Sequence, residues 1–188
     1  MSSSWLEPQD GAQVAVLTRH GKLESAHHGV VVVSDLSGDK LFERGNGKAV
    51  VFPRSTLKPV QAIASLQMGA SLSTEHLALS ASSHCGSEDH RRLVRDFLQT
   101  YGLEEAHLKC PEDWPLDISE RAELIAQGEG PSRLAMNCSG KHAGFLATSI
   151  QMGHPTDNYL DLSHPLQLAI SETIAEYSGE RPSMTTVD

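Results

Sequence analysis

Apolar positions in the first third of the chain come in short blocks bounded by turns, and later ones recur at helical spacing. Residues 14–17 read as a short strand. The turn Arg19-His20-Gly21-Lys22 then leads to Leu23-Glu24-Ser25-Ala26-His27-His28. Residues 30–33 form an unbroken apolar run, the pattern of a strand buried on both faces. A Ser-Gly-Asp turn within 36–40 joins it to residues 41–44, which predicts a hairpin over 30–44. After Gly45-Asn46-Gly47, residues 49–52 read as a strand that delivers the chain to Ser55. Residues 1–11 are polar and expected to be loose.

From residue 55 the period changes. Leu57, Val60, Ala64 and Met68 share a helix face, with Ser55 as N-cap, Pro59 in the first turn and Gly69 as the stop. Residues 77–82 are small and fit a strand or a helix. A helix is predicted over 88–101, with Leu93, Val94, Phe97 and Tyr101 on one face and Gly102 behind it. Asp117 and Glu120 form a carboxylate version of a capping box for a helix reaching about residue 127. An apolar helix follows the turn residues at 137–140 and stops at Gly153. A last one opens at Pro165 and ends at Gly179. Strands mixed with amphipathic helices predict an α/β (α+β) fold. With no repeat, low-complexity tract or long linker, 1–188 reads as one domain or the N-terminal part of one.

Charge narrows the partners. A net charge of −9 and a pI near 5.5 argue against a nucleic-acid backbone. No apolar run is long enough for a bilayer, and the N-terminus lacks the basic start and apolar segment of a signal peptide. Three cysteines make no disulfide framework. A soluble, cytoplasmic protein with reduced thiols is expected, with no membrane or nucleic-acid partner.

Candidate chemistry gathers at three predicted helix starts, 54–58, 83–90 and 138–142, where backbone N–H groups can hold an anion or oxyanion. In Ser55-Thr56-Leu57-Lys58 the serine and lysine share a helix face. The helix dipole disfavours charge on a first-turn lysine, so its amine could take the serine proton. A second Ser-x-x-Lys, Ser37 to Lys40, lies in a turn and reads as hairpin chemistry. Capping explains Ser55, Ser87 and Ser139, but not Lys58 and Lys141 in first turns. Cys138, Lys141 and His142 are candidate metal ligands by proximity. By spacing alone Cys-x-x-Lys is a poor zinc signal, and Cys138 reads better as a buried, inert thiol. Cys110 reads as structural.

Taken together, Leu23–His28, Arg54-Ser55-Thr56-Leu57-Lys58-Pro59, Ala81-Ser82-Ser83-His84, Asn137-Cys138-Ser139-Gly140-Lys141-His142-Ala143-Gly144 and residues 185–188 resemble the asparaginase II family, the rhizobial-type thermolabile amidohydrolases. The pieces run in the family's order from about residue 12 to the last residue. The resemblance implies hydrolysis of L-asparagine to L-aspartate and ammonia on a fold similar to serine β-lactamases and glutaminases. It implies Ser55 as nucleophile, Lys58 as its base and Ser83 as the serine of a second serine–lysine pair. Cys138 and Lys141 are implied as zinc ligands, and Arg54, His142 and Asp188 as substrate-positioning residues. A homodimer is the assembly in view.

Two departures follow from the same resemblance. Cys85 stands where the family has a small polar residue after Ser83-His84. The third zinc ligand and the lysine of the second pair are expected beyond Asp188. On that reading the 188-residue chain is an incomplete architecture, a fragment that is marginally stable or associating, binds zinc weakly and is inactive alone. Two alternatives stay open: a β-lactamase-like serine hydrolase, and a non-catalytic truncated chain serving as an interaction module.

Overall fold

A computed structural model of the chain describes residues 5–182, so Asp188 and the rest of 185–188 lie outside the described residues. The chain divides into two compact units, with the boundary between Pro53 and Arg54.

The first unit is built of two antiparallel hairpins. Strands β1 (Ala12–Arg19) and β2 (Lys22–Gly29) pair across a two-residue turn, with register irregularities between Gln13 and Ala15 and between Leu17 and Thr18. His20 and Gly21 both take positive φ there, the conformation that matches the twist of a tight hairpin. Strands β3 (Val31–Ser34) and β4 (Lys40–Arg44) form the second hairpin, as the 30–44 pattern predicts. Asp35 makes its turn, since Oδ1 accepts from the backbone N–H of Ser37 and of Asp39, each at 2.9 Å.

Two expectations are corrected here. Val31, Val32 and Val33 are 38–48% exposed rather than buried on both faces, because a two-stranded ribbon has no second layer stacked on it within this unit. Among the described residues, the expected strand over 49–52 is a single parallel bridge between Trp5 and Val50. Leu6 N–H donates to Val50 O at 2.9 Å, Trp5 stacks on Phe52, and Pro53 then removes the next donor. Residues 5–11 are therefore tied in rather than trailing. Asp10 O accepts from Asn46 N–H at 2.7 Å, and Asp10 Oδ1 accepts from the Asn46 amide at 2.8 Å.

The second unit is helical, and it holds the buried apolar core. Its helices are α1 (Lys58–Gln67), α2 (Thr74–Ser80), α3 (Glu88–Thr100), α4 (Ile118–Ala126), α5 (Ser139–Gln151) and α6 (Pro165–Ser178). Helix α5 is the axis, with every residue from Ser139 to Ser149 buried and α1, α2, α3 and α6 packed on it. A helix apolar or small on all sides can only be a central one. The small residues set its closest approach. A Cβ on Gly140 would lie 2.7 Å from Leu79 O and 3.1 Å from Leu79 C. One on Gly144 would collide with Ser80 Oγ. Residues 77–80 close helix α2 and Ala81 is its C-cap, while its Ser73 N-cap accepts from His76 N–H at 3.2 Å. Phe97, Leu98, Leu146, Tyr159 and Leu166 fill the core around α5, each such side chain contributing about 1.5–3 kcal/mol by its burial.

Helix ends follow the sequence closely, with two differences. Ser55 is not an N-cap: residues 54–57 form a 3₁₀ turn that runs straight into α1, and Leu57 already has helical φ and ψ. Lys58 thus becomes the first α-helical residue. Asp117 caps α4 through Oδ1, which accepts from Ser119 N–H and Glu120 N–H. The Glu120 carboxylate instead accepts from Glu88 N–H and from Arg91, so the box closes on α3 rather than on its own cap. Among the described residues no helix is long and apolar enough to cross a membrane.

Candidate active site

The α1 start, the segment between α2 and α3, and the α5 start meet at Lys58. Its side chain leaves the first turn of a helix and is 3% exposed, yet its amine reaches an exposed hydroxyl. Lys58 Nζ donates to Ser83 Oγ at 2.8 Å and to Asn137 O at 3.3 Å. The same carbonyl accepts His84 N–H at 3.2 Å, so Asn137 O joins all three segments. Ser55 lies exposed on the 3₁₀ turn, and neither bond from Lys58 reaches it. Arg54 is exposed beside it with φ +47, a left-handed conformation that costs a non-glycine residue about 1–2 kcal/mol. Such strain at the entry to a candidate site is a functional hint.

His84 holds the Ser83 segment in place. Gly86 N–H donates to His84 Nδ1 at 3.1 Å, which puts the ring proton on Nε2, 2.8 Å from Ser139 Oγ. Ser139 Oγ donates in turn to Leu134 O at 3.0 Å. Burial holds the ring neutral, pushing its pKa down to about 4, and the neighbouring His90 and Lys58 act in the same direction. The His90 ring lies 5.1 Å from His84, centroid to centroid, and its Nδ1 bonds Ser87 Oγ at 2.6 Å. Cys85 Sγ stands 3.7 Å from the same nitrogen.

The second cluster is built on the first turns of α5. Cys138 and Lys141 are 5% and 4% exposed, and His142 is fully buried. A sulfur–sulfur hydrogen bond with Cys110 is the largest influence drawing the Cys138 thiol below its ordinary pKa, and Cys138 Sγ also lies 3.2 Å from Met136 Sδ. A hydrogen bond from His142 and the charge on Lys141 act the same way, against the opposing effect of burial. The same sulfur–sulfur bond, with burial, pushes Cys110 far up. Lys141 Nζ also lies 5.6 Å above the Phe145 ring. His142 Nδ1 meets Tyr159 Oη at 2.8 Å.

Of the residues singled out from sequence, Lys58 and Ser83 are bonded, and Cys138, Lys141 and His142 share one cluster. Ser55 and Arg54 stand at the α1 start, and Asp188 falls outside the described residues. Cys110, read as structural, is a partner of Cys138, and Tyr159, His84 and the Asn137 carbonyl enter from the fold. Only Asn137 and His84 carried a signal, lying inside the motif runs. Nothing in the order of residues places 110 beside 138 or 159 beside 142. A buried thiolate is the donor zinc prefers, and Cys138 and Lys141 stand one turn apart. Among the described residues, however, no group of three or more His, Cys, Asp or Glu side chains is placed to hold a metal ion.

Polar side chains from the α1 start, the α2–α3 segment and the α5 start converge on a mixed α/β scaffold. The sequence model of L-asparaginase II matches residues 15–188, and the chain belongs to that family. It is a family of asparagine-hydrolysing amidohydrolases. No curated protein matches the chain.

Proposed function

We propose that the chain carries the serine–lysine chemistry of an L-asparagine amidohydrolase, with Ser55 as nucleophile, Lys58 as base and Ser83 as proton carrier. The observation that supports it is the Lys58 Nζ–Ser83 Oγ bond of 2.8 Å, from a buried amine to an exposed hydroxyl. As free base, Lys58 takes the proton as Ser55 Oγ bonds to the carboxamide carbon. The proton then passes through Ser83 to the leaving nitrogen, the C–N bond breaks and ammonia departs. Water attacks the resulting ester, Ser55 regains its proton, and aspartate is released. The proposal assigns backbone N–H groups near the start of α1 to the developing oxyanion. Arg54 and His142 are assigned to the substrate's charged groups. Of this chain's residues, Cys138 and Lys141 would hold zinc. When bound, the ion would supply Lewis-acid polarisation beside the substrate.

A second assignment has one observation in its favour. Because Lys58 bonds Ser83 directly, Ser83 could be the nucleophile. Ser55→Ala separates the two, with ammonia release as the readout. Loss of turnover by about 10³-fold or more, with no trapped acyl adduct, is expected if Ser55 is acylated. Retained turnover with an adduct on Ser83 moves the nucleophile there.

A further inference from the structure

Of the three cysteines, Cys110 and Cys138 are 0% and 5% exposed, and Cys85 alone is half-buried. A thiol kept for packing is ordinarily enclosed by apolar side chains. Cys85 Sγ instead stands 3.7 Å from His90 Nδ1, within hydrogen-bond reach for sulfur. That ring is held from two sides. Its Nδ1 bonds Ser87 Oγ at 2.6 Å, and its face lies on the His84 ring, 5.1 Å between centroids and 12° from parallel. His84 is fixed in turn by Gly86 N–H and Ser139 Oγ. A nucleophile within reach of a nitrogen that can take its proton, with that nitrogen oriented by a third group, is the arrangement of an assisted nucleophile. The Cys85–His90 pair has no part in the chemistry above.

We propose that Cys85 is a modification site whose thiol, assisted by His90, exchanges with low-molecular-weight disulfides, and that the adduct shields Ser83. Exposure alternates along the segment, with Ser83 exposed, His84 buried, Cys85 half-buried and Gly86 buried. That is the alternation of extended chain, so Ser83 and Cys85 face the same way, about 7 Å apart. In the exchange, His90 Nδ1 takes the thiol proton as Cys85 Sγ bonds one sulfur of R–S–S–R. The S–S bond breaks, and the departing R–S⁻ takes that proton and leaves as R–SH. Cys85 is oxidised, the leaving sulfur is reduced, and no other co-reactant is consumed. The R–S group then stands beside the hydroxyl that Lys58 Nζ meets at 2.8 Å. Burial keeps Cys110 and Cys138 from such a reagent in the folded chain. The effect on turnover rests on the proposed function, whereas the exchange at Cys85 does not.

The probe is glutathione disulfide, added to the unaltered protein at neutral pH and followed by intact mass and peptide mapping. A single adduct is expected, on Cys85 and reversed by dithiothreitol. No adduct, or a first adduct on Cys110 or Cys138, overturns the proposal. His90→Gln should slow the exchange about tenfold, with urea unfolding used to show that the variant is folded. An unchanged rate in the folded variant overturns the assistance by His90. Should His90→Gln not fold, the mapped rate at Cys85 in the native wild type is compared with that in urea, where the ring no longer stands beside the sulfur. The native rate should be about tenfold higher, and a native rate no higher overturns the assistance as well. With asparagine as substrate, the adduct should lower turnover by about tenfold or more, while Cys85→Ser under the same disulfide keeps turnover within about twofold of the untreated wild type. Undiminished turnover of the fully modified protein overturns the shielding. A wild-type chain without turnover would sink the proposed function and leave the mapped exchange to decide the site.

Discussion

His84 should make the protein sensitive to mild acid. In the fold its ring is neutral and 4% exposed, with Nδ1 accepting from Gly86 N–H and Nε2–H directed at Ser139 Oγ. Protonating Nδ1 would set two donors against each other. The folded pKa is about 4 and the ordinary value is 6.5. Because the folded value is the lower one, the unfolded chain takes up the proton first. The neutral ring therefore costs no stability above about pH 6.5, and stability is lost as pH falls from there toward 4. That gap corresponds to about 3 kcal/mol when the loss is complete, at about 1.4 kcal/mol per pH unit. Against a total of about 5–15 kcal/mol for a domain, this is a large share. The assay is urea unfolding at pH 7.0, 5.5 and 4.5 for wild type and His84→Gln, which keeps a donor toward Ser139 and does not titrate. The wild-type midpoint should fall more steeply over this window than that of the variant. Equal slopes would refute the argument, because every other histidine, His76 included, is common to both proteins.

Two further outcomes are expected. Gly140→Ala should destabilise by about 1–3 kcal/mol, read as a lower Tm, because the added Cβ meets the Leu79 backbone, which cannot rotate aside as a side chain would. If zinc has only Cys138 and Lys141 to hold it, elemental analysis after dialysis should find well under one zinc per chain. One tightly held ion would show that a further residue, Cys110 the nearest thiol, completes the set.

Periodicity in the sequence was enough for the longer helices, though not for the cap at α1 or the type of residues 77–82. The face of Leu93, Val94 and Phe97, the caps at Ser87 and Asp117, and the stop at Gly179 all stand where spacing and capping chemistry put them. The strands were less legible. The valine run at 31–33 looks like a buried strand whether or not a second layer exists, and residues 49–52 have β-forming side chains but, among the described residues, only Trp5 to pair with. Within the site, the legible parts were those where local rules are broken in a single run, such as lysines in first turns at 58 and 141. The pairings of Lys58 with Ser83 and of His142 with Tyr159 are tertiary, and a one-dimensional pattern does not hold them.

The two lysines show why these breaches of local preference bear on function. A first-turn position already disfavours an ammonium, and burial to 3–4% exposure adds the cost of taking an amine out of water. Ordinary packing would replace such residues with leucine or methionine, as it does elsewhere along the same α5 surface at Phe145 and Leu146. The fold instead supplies polar atoms for each. Ser83 Oγ and Asn137 O meet Lys58, and Cys138 and the Phe145 ring lie by Lys141. Supplying them takes three segments, since Ser83 is 25 residues from Lys58 in sequence and Asn137 is 79 residues from it. Further bonds from His84 and Ser139 are needed to hold those segments still. A charge that served only stability would not require so much support. Under the proposed function, that support holds a buried amine against the Ser83 hydroxyl, where it would accept and return a proton.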